Sequence, residues 1–508
     1  MPTRLSSIQY QNPSQPLSID SNNKPLLIVP VFQDKTKDPK KPTFQTSTEL
    51  TYAEKQVGFN IAETFKLEEF TGGYGSSLYV SNSAMPASTL FVGFGDQQKK
   101  DRLPVYRIHK AYSKALSAVK RKELTNLIGI ISTDDKNKLQ DVLSLQLICA
   151  VGDHFYETRE VKEPSEHQAT LTLIAHQSAG KSATAEFGLA TVKARALAMD
   201  LVNMPANIKT TASLANAANS LKELGLTVTI QNNVEWIKSN MPCFYEVGRG
   251  SVITDPPRWI QVHYKPPQPV SRKIALVGKS VIFDTGGYQV KPDPYMNTMK
   301  ADMTGGATVL SVIQAVAALK VPNIEVTAYL AATPNKIDSD AMLPDSIVNT
   351  SSGKKVEIRH TDAEGRLTLI DAVNQAEKDS PDLIFTIATL TGSAAHAVGP
   401  RTALMSNNNE WRDKFAKIAE QYGDSCQVLD ILEEDFEDIK SKLDGADINN
   451  TGHEKYRGAQ TAASFILSGL ADENKPLIHL DVAGGDMTTD EKATAIAVRG
   501  LLGFIYEQ

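Results

Sequence analysis

Short apolar runs bounded by Gly, Pro or polar clusters alternate along this chain with stretches whose apolar residues recur every three or four positions. Residues 25–32, 89–94, 126–131 and 169–175 read as strands, and 103–120 and 138–152 have helical spacing. Later strand candidates are 273–277, 324–330, 382–388 and 476–482. Helices are expected over 188–203, 210–224, 304–320, 366–378, 410–422 and 459–471. Several later strands are apolar on both faces, as strands inside a layered sheet are. The first ~20 residues are polar and contain Pro and Ser, and predict a loose arm. The segment 177–187 is small and polar, and reads as a connector. The expected fold is α/β: a smaller N-terminal α/β domain over 1–176, a connector over 177–190, and a larger C-terminal α/β/α domain over 191–508 with a central mixed sheet.

Composition narrows the class. The 508 residues are 41% hydrophobic and 22% charged, ordinary for a globular protein. A net charge of -6 gives no basic footprint, so nucleic acid is not an expected partner. No stretch is long and apolar enough to predict a membrane span, and no apolar run follows Arg4 as a secretory signal would require. Cys149, Cys243 and Cys426 are far apart and form no CxxC pair, which argues against a disulfide framework or a thiolate metal site. The expected setting is the cytoplasm.

The chemistry concentrates in three segments: residues 277–291 (VGKSVIFDTGGYQVK), 299–306 (MKADMTGG) and 360–367 (HTDAEGRL). A single Asp or Lys ordinarily sits in solvent. Here Lys279 and Asp284 are embedded in apolar sequence at the end of a strand. Asp302 lies between Met299 and Met303, and Asp362 and Glu364 stand just before a helix. Charged groups in apolar surroundings are costly unless paired or metal-bound. Four acids converging at strand ends would repel one another, and one or two divalent cations remove that conflict. Carboxylate donors suit Mg²⁺, Mn²⁺ or Zn²⁺. Lys279 can join them only as the neutral amine, which burial and an adjacent dication both favour. Two such cations can share a bridging water and lower its pKa. Lys291 and Arg366 then remain for the reacting groups: Lys291 to stabilise an oxyanion, and Arg366 to hold a small planar anion. Gly278-Lys279-Ser280 looks like the end of a phosphate-binding loop, but the glycine required five residues earlier is Lys273.

These segments resemble the leucyl (cytosol) aminopeptidase family, whose pattern runs Val-Gly-Lys-Gly, Phe-Asp-Ser-Gly-Gly, a following Lys, Lys-x-Asp-Met and Asn-Thr-Asp-Ala-Glu-Gly-Arg-Leu. Residues 200–207, 247–250, 388–392 and 478–483 extend the similarity over roughly 190–508. Gly286-Gly287-Tyr288 and 449–452 resemble the bacterial peptidase B subgroup. The resemblance implies that Lys279, Asp284, Asp302 and Glu364 hold a tighter metal, and Asp284, Asp362 and Glu364 a more exchangeable one. It implies two divalent ions per subunit (Mn or Zn), Lys291 as the catalytic electrophile, and Arg366 holding a bicarbonate that acts as general base. Met299, Thr389 and Gly392 match positions lining the pocket for the N-terminal side chain. The implied activity releases single amino acids, Leu or Met preferred, from short peptides inside a homohexamer. Ser280, Thr285, His360 and 495–499 depart from the pattern, but none is a ligand or catalytic position.

His479 reads as a hydrogen-bonded core residue, His360 as a neighbour whose ring points aside, and Arg249 as a loop or interface residue. Two other readings compete: a weakly catalytic relative kept as an oligomeric scaffold or nucleic-acid-binding regulator, and a different two-metal hydrolase such as a phosphatase. A scaffold has no reason to keep a neutralised lysine among four carboxylates, and a lysine ligand beside Gly-Gly loops weighs against a phosphatase.

Overall fold

In the N-terminal part, strands β1 (Leu5–Gln11), β2 (Leu26–Asp34), β3 (Thr43–Phe44), β4 (Ser77–Val80), β5 (Ser88–Asp96), β6 (Asn126–Ile130) and β7 (Ala169–Ile174) form one sheet, ordered β1-β7-β6-β2-β5-β4 with β3 beside β2. The computed structural model describes residues 5–15, 17, 23–35, 43–81, 84–96, 104–119, 124–131, 140–156, 168–175 and 181–508. It divides into two units, Met1–Ala196 with Glu420–Gly423, and Leu197–Ala419 with Asp424–Gln508. In the first unit β1, β7, β6, β2 and β5 are parallel, while β3 and β4 run antiparallel. Successive residues of β2 enter opposite cores: Leu26 and Ile28 join Leu90 and Val92 on one face, and Leu27 and Val29 join Phe91 on the other. That period of two explains why the run is apolar throughout.

Two expectations are corrected here. The N-terminal arm is not loose over residues 5–11, which form β1 on the sheet edge, parallel to β7. A bulge between Leu5 and Ser7 breaks the period of two, so Leu5 in the core and Ile8 and Tyr10 against it escape an alternation reading. The connector is largely helix, Lys181–Asn203. Its alanines favour the helix and Phe187 and Ala190 are buried. Residues 1–4, 16 and 18–20 of the expected arm, 177–180 of the connector, and 103, 120, 138 and 139 of the expected helices lie outside the described residues.

The second unit is built on β8 (Thr227–Gln231), β9 (Arg258–Tyr264), β10 (Arg272–Asp284), β11 (Ile324–Asn335), β12 (Ser346–Asn349), β13 (Lys355–Ile358), β14 (Leu383–Ala388), β15 (Thr402–Ser406), β16 (Cys426–Val428), β17 (Ile448–Asn449) and β18 (Leu477–Asp481). Its main sheet is mixed, ordered β16-β15-β18-β14-β10-β11-β9-β8, with β18, β14, β10 and β11 parallel at the centre. β12, β13 and β17 form a small separate sheet. Central β10 runs seven residues beyond the apolar stretch 273–277, carrying Lys279 and Asp284 with it.

Helix Thr304–Leu319 starts hard against this centre. A Cβ on Gly305 would lie 1.9 Å from Ile387 O, and one on Gly278 2.6 Å from Gly305 O. Backbone therefore meets backbone midway along β10 and near the end of β14, and glycine is required by proximity. Gly305→Ala should force the helix and strand apart and cost about 1–3 kcal/mol, as overpacking does. Thermal denaturation checks it: a clear fall in Tm is expected, and an unchanged Tm contradicts the close approach.

Candidate metal centre

The carboxyl ends of the parallel strands β10, β11, β14 and β18 are where an open α/β sheet forms its crevice. Lys279 and Asp284 both belong to β10. Five residues apart, they would face opposite sides of a regular strand. A register shift between Val281 and Asp284 turns both toward one site. Asp302 follows the turn Met299–Ala301, and Glu364 opens helix Glu364–Glu377, where the helix N-terminus favours a carboxylate. Oxygens of Asp284, Asp302 and Glu364 lie within 4.8 Å of one another, and all three residues are buried.

Two lysines are threaded among them. Lys279 Nζ lies 2.6 Å from Asp302 Oδ1 and 2.9 Å from Glu364 Oε1, and donates to Thr389 O at 3.0 Å. Lys291 Nζ lies 2.8 Å from Asp284 Oδ2 and 2.6 Å from Asp362 Oδ1, so it draws Asp362 to the group. The stem of Lys279 has room because residue 365 is glycine; a Cβ there would meet Lys279 Cε at 2.5 Å. Burial pulls Lys279 down, but Asp302, Glu364 and Asp284 outweigh it and hold the amine protonated. Burial opposes charge on Lys291 too, and Asp284 and Glu364 again win.

The two lysines offset half of four carboxylate charges, and the remainder shows in the acids. Burial raises Asp302 well above the usual carboxylate range, with Lys279 opposing and Glu364 and Asp284 adding to the rise. Asp362 is pushed up to about 7 by burial and by Asp284, against Lys291. Asp302 Oδ2, Asp362 Oδ1 and Glu364 Oε1 are buried without a hydrogen-bond partner; the last two stand at ion-pair distance from a lysine but out of line for a hydrogen bond. Buried oxygens in that state call for cations. The donor set thus fits divalent metal on the structure's own terms.

Arg366, also buried, has Nε and Nη1 unpartnered. Burial lowers its pKa to about 10, with Glu364 and Asp481 opposing. A guanidinium with two free donors in a dry site fits a small planar anion. Thr389 Oγ1 donates to Asp302 Oδ1 at 2.9 Å, and Met299 opens the turn leading to Asp302. Gly392 starts helix Gly392–Val398, and a Cβ there would meet nothing within 4 Å.

Two residues that hold the site escaped the sequence reading. Asn335 at the end of β11 donates to Asp284 Oδ1 (2.9 Å) and to Thr361 O (3.1 Å). Asn450 accepts from the Arg359 and His360 amides and donates to the carbonyls of His360 and Ala363. A lone Asn in sequence gives no such signal, although 449–452 did stand out. His360 accepts the Asp362 N–H at Nδ1, so its ring serves the loop. His479 is buried, bonded to Thr386, and pushed down to about 3 by burial and Arg366. Arg249 pairs with Glu246 and Asp340.

Comparison with known proteins places the chain in a family. The catalytic domain of the cytosol aminopeptidase family matches residues 196–502. A probable cytosol aminopeptidase of Aquifex aeolicus is 32% identical over 451 residues, covering 87% of this chain and 89% of the relative. One of Picosynechococcus sp. is 33% identical over 472 residues, covering 91% and 93%. Among solved structures, bottromycin maturation enzyme BotP in complex with Mn aligns with a TM-score of 0.78 at 27% identity, over 89% of this chain and 97% of that one.

Asp284→Ala and Glu364→Ala should each weaken Mn²⁺ or Zn²⁺ binding at the whole centre while the fold survives. Because Asp362 holds its proton up to about pH 7 without a cation, metal must displace that proton, and affinity should rise from pH 6 to 8. Calorimetric titration of apoprotein decides both; full affinity in Asp284→Ala, or affinity falling with pH, would count against the assignment.

Proposed function

The chain belongs to the cytosol aminopeptidase family and is a leucyl aminopeptidase-type metallo-exopeptidase, and we propose that it releases single residues from the N-termini of short peptides at a centre for two divalent cations. The observation that carries this reading is the buried surplus of carboxylate oxygens around Lys279 and Lys291. Lys279, Asp284, Asp302 and Glu364 are the donors for one cation, and Asp284, Asp362 and Glu364 for the other. Mn or Zn there supplies Lewis acidity and a water of lowered pKa, and a bicarbonate at Arg366 a base. Lys279 gives up its proton when Asp302 and Glu364 are engaged elsewhere, since their charge is what retains it. Lys291, kept cationic on the less buried side, stands ready to stabilise an oxyanion. Arg366 offers its two free donors to the planar anion.

Met299, Thr389 and Gly392 line the pocket for the first side chain, and Met299 taken alone favours Leu or Met there. The resemblance to the family supports a homohexamer, and exposed apolar side chains such as Ile253 and Tyr295 are compatible with further burial. No helix among the described residues is long and apolar enough to cross a membrane, and the likeness to probable cytosol aminopeptidases supports a cytoplasmic setting.

The two lysines should separate in metal analysis. Lys279→Ala should lose cation affinity. Lys291→Ala should keep the cations and lose mainly kcat, by roughly 10²–10³-fold. Equal metal loss in both variants contradicts the division of roles. End-specificity is the second check. Acetylation removes the basicity of the α-amine and adds bulk, so kcat/KM for an N-acetylated dipeptide should vanish beside that for its free form. Activity should rise above neutral pH as the substrate amine deprotonates, near a reference pKa of about 7.7–8.0. Comparable cleavage of the acetylated peptide would rule out an aminopeptidase.

A further inference from the structure

The turn that delivers Asp302 to the metal centre is held from behind by a buried amine that the hydrolytic chemistry does not use. The turn Met299–Ala301 is entered through Thr298, whose φ is +68°. A non-glycine residue in that region is strained, and such a turn keeps its shape only where its surroundings hold it. Each of its carbonyls has a separate donor. Met299 O takes Asp302 N at 3.3 Å, and Ala301 O takes the Thr304 hydroxyl at 2.7 Å. Lys300 O, between them, takes Lys209 Nζ at 2.6 Å.

Lys209 is itself firmly placed. Its N–H donates to Pro205 O at 3.0 Å. The next residue, Thr210, caps helix Thr211–Ser220 by accepting Ser213 N on its hydroxyl at 3.0 Å. The Lys209 side chain is buried, and Nζ donates also to Val202 O at 2.8 Å, in the last turn of helix Lys181–Asn203. Carbonyls there lack helical partners and favour a cation. Lys300 returns the connection, since its Nζ donates to Asn203 O at 3.2 Å. Asn203 Oδ1 in turn accepts Ala493 N at 3.0 Å. Two crossed lysines thus tie the turn before Asp302 to the end of that helix.

No carboxylate among the described residues stands at ion-pair distance from Lys209. Burial, and then the neighbouring Lys300, push its amine down to about 7. A buried amine with no counter-ion is a costly way to fill space, and packing alone would be served by an apolar side chain of the same length. What such a side chain would lose is the donor on Lys300 O.

We propose that Lys209 is a positioning residue for the metal centre: by holding Lys300 O it fixes the turn from which Asp302 reaches a cation. The inference rests on the reading of Asp302 as a cation donor at an aminopeptidase centre. Lys209 touches neither the loop that carries Asp362 nor the helix opened by Glu364. Its effect is therefore confined to the cation that Asp302 serves, and the cation at Asp284, Asp362 and Glu364 does not depend on it.

The test is calorimetric titration of Mn²⁺ into metal-free wild type, Lys209→Met, Asp302→Asn and the double variant, with circular dichroism to check folding. Lys209→Met keeps the stem length and removes the donors. It should fold and weaken one of two Mn²⁺ sites by roughly 10- to 100-fold, the usual effect of losing a group that orients a ligand. The other site should keep its affinity. In the Asp302→Asn background the same change should cost nothing further, whereas a general loosening of the structure would add in both backgrounds. Hydrogen exchange of metal-free Lys209→Met should quicken in residues 298–303 and not around 360–364. Loss of one Mn²⁺ site in Lys209→Met, in a protein whose wild type cleaves no peptide, would refute the aminopeptidase reading and uphold the role of Lys209. Wild-type Mn²⁺ binding in Lys209→Met, equal loss in both backgrounds, or failure of Lys209→Met to fold overturns the proposal.

Discussion

Four carboxylates, Asp284, Asp302, Asp362 and Glu364, share a largely buried space with two lysine ammoniums, and everything around them answers to that imbalance. At an effective dielectric of about 20, two unit charges 4 Å apart interact by about 4 kcal/mol. Several such repulsions in one pocket rival the whole stability of a domain. The lysines relieve part of the strain, and the raised pKa values of Asp302 and Asp362 show the part they do not. In the proposed reading, divalent cations remove the rest and turn a destabilising cluster into a reaction centre. Structure and function share one cause here: charge placed where water cannot solvate it.

Such placement demands backbone precision, which the fold supplies by close approach. Gly305, Gly306 and Gly278 let a helix end touch β10, and Gly365 leaves a channel for the Lys279 stem. The loop after Asp284 is bound to the loop before Glu364 through Thr361, which donates to Gly286 O and accepts from Gln289 N. Gly286 takes a φ of +87° there, and a Cβ would meet Gln289 O at 2.6 Å. Asn335 bridges the same two loops from β11, so β10, β11 and the helix at Glu364 position one another.

Much of this was legible in the sequence, and the exceptions share a reason. Continuous apolar runs announced the central strands because both faces of each are buried. Lys279, Asp284, Asp302 and Glu364 stood out because charge inside apolar sequence is anomalous, and the structure gathers them. The two bulges were invisible: one hides β1 by breaking its alternation, and the other lets Lys279 and Asp284 share a side although their spacing says otherwise. A helix start was mistaken for a connector because its small residues fit either reading. Asn335 and Asn450 were missed because each acts through a neighbour distant in sequence. Pattern reads burial well, but it does not read what a turn lays beside another turn.

Anomalous diffraction from crystals of the protein soaked in Mn²⁺, recorded at the manganese edge, tests the central claim most directly. Two peaks per chain are expected, both in contact with Asp284 and Glu364, with Asp302 and Lys279 at one and Asp362 at the other. No peak among these carboxylates at saturating Mn²⁺, with Lys279 and Lys291 still paired to them, would contradict the account.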